Sequence, residues 1–119
     1  MALKKIRLEL ARNREFPQGS AEHGYEFTAP LTTDGHFDTE EWRTSRQECR
    51  VRRFWSGQDD ETGRLIHKGE RWAFHYDGMD TEEDEPIFRF DRHTFREGEY
   101  VSITEHDGEQ RTFKVVSVK

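Results

Sequence analysis

Tyr100-Val101-Ser102-Ile103-Thr104 and Arg111-Thr112-Phe113-Lys114-Val115-Val116-Ser117-Val118 are two β-rich runs on either side of an Asp107-Gly108 pair. Alternating apolar side chains around an Asp-Gly turn signal are the sequence pattern of a β-hairpin. Val115 and Val116 interrupt the alternation, which predicts a bulge or burial on both faces there. Upstream, Leu65-Ile66-His67-Lys68 and Arg71-Trp72-Ala73-Phe74-His75-Tyr76 flank Gly69-Glu70 as a second, tighter hairpin. In that register Leu65 and His67 share a face with Trp72, Phe74 and Tyr76, and Arg64 lies opposite His75.

The remaining segments extend the same theme. Lys4 to Arg12 alternates, with Ile6, Leu8 and Leu10 on one face of a half-buried strand. His23 to Ala29 reads as a strand with Tyr25 and Phe27 inward, closed by Pro30, which brings no N–H to a ladder. Cys49 to Trp55 is β-rich, Gly57 to Gly63 reads as a loop, and Ile87-Phe88-Arg89-Phe90 makes a short strand. Six acids between Asp77 and Glu85 predict an exposed loop. One helix is expected, at about 39–48. Asp38 and Glu41 have capping-box spacing, and Phe37 and Trp42 have that of a hydrophobic staple. The expected fold is therefore mainly β, a small antiparallel barrel or sandwich of seven or eight strands with one short helix.

Composition supports a single domain over residues 1–119. Leu, Ile, Val and Phe number only 23, but 15 aromatic residues compensate, because each ring buries roughly 150–250 Å². The 19 cations nearly offset 25 acids, leaving a net charge of −6. Nothing approaches the ~20 consecutive apolar residues of a spanning helix. The basic start, Met1 to Arg7, lacks the apolar segment of a secretory signal. A single cysteine, Cys49, excludes an internal disulfide framework and a cysteine zinc cage, so a cytoplasmic setting is expected. Mild acidity argues against wholesale electrostatic binding to nucleic acid or membrane, but not against a local cationic patch.

His23 to Phe27, Cys49 to Trp55, Trp72 to Asp77 and Gly98 to Ile103 together resemble a group of small uncharacterised bacterial proteins, over most of the chain. The resemblance implies a complete stand-alone bacterial protein and carries over no activity, cofactor or catalytic residue.

Phosphate-loop, dinucleotide, zinc-protease and nucleophile-elbow motifs are all missing from the sequence. Four weaker patterns remain. Arg43, Arg46, Arg50, Arg52 and Arg53 form a basic run beside Phe54 and Trp55, and guanidinium groups bind phosphate bidentately while exposed rings stack on bases. Set against that, Arg50 and Arg52 also suit a solvated strand face paired with the acids at 77–85 or 59–61. Six histidines (His23, His36, His67, His75, His93, His106) lack ligand-pair spacing, so no metal is expected. Cys49 follows a helix C-terminus and suits packing better than reactivity. Finally, Tyr25, Phe27, Trp55, Trp72, Phe74, Tyr76, Phe88 and Phe90 could line a barrel mouth, with Arg53 or His67 fixing an anionic head, or simply fill the interior.

These readings favour a non-enzymatic binding module that needs no cofactor. Its anionic partner would be nucleic acid, a nucleotide or an acidic protein face. Arg50 and Arg52 would supply charge, and Trp55, Trp72 and Tyr76 stacking. The alternative is a small-ligand binder or enzyme with an aromatic-lined site inside the barrel, using His67 or His75.

Overall fold

The computed structural model describes residues 3–68, 71–78, 85–88, 94–105 and 107–119. Eight strands lie within them: β1 (Leu3–Leu10), β2 (Ser20–Pro30), β3 (Arg50–Trp55), β4 (Glu61–Lys68), β5 (Arg71–Tyr76), β6 (Glu85–Phe88), β7 (Tyr100–Thr104) and β8 (Gln110–Val118). Each pairs antiparallel with the next, and β1 pairs with β8, so the sheet closes into a barrel. Closure leaves one interior in place of the two-sheet sandwich. The turn residues Gly69 and Glu70, the body of the acidic run at 79–84, and Arg89 and Phe90 lie outside the described residues.

The hairpin registers follow the alternation. Val101 faces Phe113 across β7 and β8, while His67 faces Trp72 and Leu65 faces Phe74 across β4 and β5. Gly108 takes the left-handed conformation at φ +82° in the closing turn. The Val115–Val116 irregularity is a bulge: Leu8 pairs with Val115 and Arg7 with Ser117, so Val116 is the extra residue. Three strand starts differ from expectation by more than one residue: β2 begins earlier, at Ser20, β6 at Glu85 rather than Ile87, and β4 at Glu61. Glu61, Thr62 and Gly63 belong to β4 rather than to a loop, because they pair with β3 and β5. Gly63 permits this pairing, since a Cβ there would stand 2.0 Å from the carbonyl oxygen of His75.

The helix α1 spans Thr39–Ser45 and tightens into a 3₁₀ turn at Arg46–Glu48, where one continuous helix was expected. Its start follows the capping box, with Asp38 Oδ1 accepting from the Glu41 amide at 3.1 Å. Its end tightens because the Cys49 amide donates to the Arg46 carbonyl at 3.2 Å, an i→i+3 bond that swings the chain into β3.

Rings fill the barrel. Tyr25, Phe27, Trp72, Phe74, Tyr76 and Phe113 are buried inside it. Phe74 lies 5.2 Å from Tyr25 and 5.1 Å from Phe27 between ring centroids. Beyond them Phe37 stacks on Phe95 at 4.5 Å and leans on Trp72 at 4.7 Å, with Trp42 5.5 Å from Trp72 on another side. The two ends of the capping staple thus meet through Trp72 and close one end of the barrel with aromatic surface. Each such buried ring stabilises by roughly 2–3 kcal/mol.

Candidate functional site

Strand alternation divides the arginine run. Arg50 and Arg52 of β3 point outward, whereas Arg53 turns into the barrel with Val51. Arg43 and Arg46 stay on the helix and its 3₁₀ extension. Phe54 lies on the outer face under the guanidinium groups of Arg7 and Arg52, at 4.4 and 5.1 Å from its ring. Gly24, opposite Phe54, leaves that ring its space.

The outward pair is neutralised. Arg50 donates to Asp77 at 2.6 Å, and that bond holds the Asp77 carboxyl below its ordinary value. Arg52 donates to Asp60 at 2.9 Å and also to Glu26, whose carboxyl is held down chiefly by that contact.

Arg53 belongs to a buried cluster at the other end of the barrel. Its Nε and Nη2 donate to Glu105 Oε2 at 3.1 and 3.0 Å, and the Tyr25 hydroxyl donates to the same oxygen at 2.6 Å. Arg111 donates to Oε1 at 2.8 Å. Both carboxylate oxygens are therefore engaged, which a buried charge requires. Trp55, half-buried, carries the Arg53 guanidinium 4.3 Å above its ring and meets His23 edge-on at 4.5 Å. Burial first, with the Arg53 charge adding to it, holds the His23 imidazole below its ordinary 6.5 despite Glu22.

Two expected stacking residues are not on this surface. Trp72 is 0% and Tyr76 2% exposed, both facing the interior, because β5 alternates inward at Trp72, Phe74 and Tyr76. They fill the barrel and offer no platform to a base. His75 sits on the outer face, half-buried, opposite Arg64. The interior rings named as a cavity lining instead pack on one another; Phe90 and the Phe88 side chain lie outside the described residues.

What the structure adds is a cleft between α1 and β4. Strand β3 begins at Arg50, opposite Arg64, so β4 runs on past its partner. The helical segment covers that overhang: the Leu65 amide donates to the Cys49 carbonyl at 2.9 Å, and Trp42 Nε1 donates to the Leu65 carbonyl at 3.1 Å. The open cleft that remains measures about 680 Å³, and Arg43, Arg46, Arg64, His67 and Glu48 line it over a floor of Trp42 and Leu65. Arg46 lies 5.3 Å over the Trp42 ring. Arg43 makes an exposed ion pair with Glu40 at 3.2 Å. Among the described residues, Arg46 and Arg64 have no ion-pair partner. His67 stacks on Trp72 at 4.2 Å, and burial first, then the Arg43 charge, holds it below 6.5, hence neutral at neutral pH. The convergence is visible only once the registers of β3 and β4 are known, though Arg43 and Arg46 stood in the basic run.

Cys49 is buried, with its thiol directed at the Ser45 carbonyl at 3.4 Å, and burial pushes it up to about 11. Among the described residues no three His, Cys, Asp or Glu side chains are placed to share a metal ion, and no helix is long and apolar enough to cross a membrane. No family model matches the chain, and comparisons with curated proteins and with solved structures gave no match.

Proposed function

We propose that the protein is a non-enzymatic binding module for an anionic partner, held by the arginines around the α1–β4 cleft. One observation carries this reading: among the described residues Arg46 and Arg64 border the cleft with no carboxylate at ion-pair distance, while their neighbours Arg50 and Arg52 are each paired. The cross-strand pair Arg50–Arg64 adds to it. Like charges directly opposite on a sheet are destabilising; Asp77 bonds directly to Arg50 and reaches Arg64 only by its longer-range charge. An anion seated in the cleft would give Arg64 a direct partner. With Trp72 and Tyr76 inside the barrel, the recognition is electrostatic and owes little to stacking.

Fluorescence anisotropy with a labelled oligothymidylate and a labelled acidic peptide tests this at two salt concentrations. Binding should weaken as salt rises, because released counterions drive it. The double substitution Arg46→Gln with Arg64→Gln should remove most of the binding and lower the log–log salt slope by about one to two. Arg50→Gln with Arg52→Gln should change it little. Absence of binding to either probe at about 50 mM salt overturns the reading.

A further inference from the structure

We infer that the α1–β4 cleft is a site for the phosphate monoester of a small organic molecule, an inference that rests on the anion-binding reading above. Three guanidinium groups, those of Arg43, Arg46 and Arg64, border one concavity together with the neutral His67 imidazole. Guanidinium forks match phosphate oxygens two at a time, and no other side chain gives so many fixed donors per charge. Against these cations the lining sets one carboxylate, Glu48. The balance suits a dianion, the charge an ordinary phosphate monoester carries near neutral pH. The C-terminal end of α1 also faces this region, and its partial negative charge opposes an anion. With only seven residues that opposition is small, and Arg43 and Arg46, one in its last turn and one capping it, offset it.

Size and floor argue for an organic phosphate over a bare one. About 680 Å³ lies within the range of small-molecule sites, roughly 300–1,000 Å³, and far exceeds the volume of a single phosphate. Trp42, Leu65 and Ile66 supply apolar surface beside the arginines, where the non-phosphate portion would rest. The Trp42 indole N–H, fixed on the Leu65 carbonyl at 3.1 Å, reports on the cleft directly.

The test is a nuclear magnetic resonance titration of the full chain with adenosine 5′-monophosphate, and separately with adenosine and with inorganic phosphate. The nucleotide should shift the Trp42 indole signal and leave that of Trp55 in place. Inorganic phosphate should do so at least tenfold more weakly, and adenosine not at all. Arg64→Gln, at an exposed position that should not disturb folding, should weaken nucleotide binding about tenfold or more, as loss of a charge-assisted contact does. Arg50→Gln should leave it unchanged. Equal affinity for inorganic phosphate and nucleotide would overturn the organic-ligand claim. No response to the nucleotide, while the oligothymidylate or the acidic peptide still binds, would overturn this inference alone. Silence from all of them would overturn it together with the proposed function.

Discussion

The two ends of the barrel are closed by opposite kinds of chemistry. At one end Phe37, Phe95, Trp42 and Trp72 pack ring against ring. At the other, Glu105 gathers Tyr25, Arg53 and Arg111 around one buried carboxylate. Arginine plays different parts at the two places. Arg53 and Arg111 are consumed in sealing the ionic end, whereas Arg46 and Arg64 stand outside the aromatic end with no direct ion pair among the described residues. A basic residue is thus informative about function only after its partners are known.

The largest effect is expected where charge is buried. Glu105→Gln strips Arg53 and Arg111 of their shared counter-ion and should cost about 3–5 kcal/mol, read as a lower urea midpoint. Phe37→Ala at the aromatic end removes contacts to Phe27, Trp72 and Phe95 and should cost a similar 3–5 kcal/mol by cavity formation. The two should differ in salt response, the charge variant alone depending on ionic strength. A cheap Glu105→Gln would show that the ionic end is not a structural seal.

A smaller effect comes from one histidine at each end. His23 and His67 both have folded pKa values below 6.5, so the unfolded chain binds more protons as acid is added. Their contribution is complete above pH 6.5 and is lost as pH falls through the folded values. Glu26, held below its ordinary 4.5, adds a second loss at lower pH. Thermal melts across pH should show both limbs, and His23→Gln should flatten the first. Cys49, with its thiol near 11, should resist disulfide-exchange reagents at pH 8 until the protein is unfolded. Smallest of all, Arg50→Gln should leave the melting temperature within error, since its pair with Asp77 is exposed.

Local pattern carried most of the fold. The hairpin registers, the bulge at Val116, the Asp38 cap and the ring-built core are all short-range or compositional signals. The β4 start at Glu61 was hidden by Asp59, Asp60 and Gly57, which read as loop, while the steric need for Gly63 depends on where His75 arrives. The Glu105 cluster was hidden for a related reason. Glu105 and Arg53 are 52 residues apart, and only barrel closure makes a carboxylate beside a turn into a buried one. For the candidate site, adjacency of Arg50 to Arg46 in sequence concealed that one is paired on a strand and the other faces a cleft. Trp72 and Tyr76 read as exposed stacking residues, and strand alternation turns both inward.

The contrast between spent and available arginines can be read in one ¹⁵N spectrum of the arginine Nε–H groups, recorded with and without adenosine 5′-monophosphate. Arg53 Nε–H, bonded to Glu105, should be protected from exchange and unmoved by the nucleotide, while Arg46 and Arg64 signals should shift. Movement of Arg53 with Arg46 and Arg64 silent would contradict the account, placing the binding charge at the end described here as sealed.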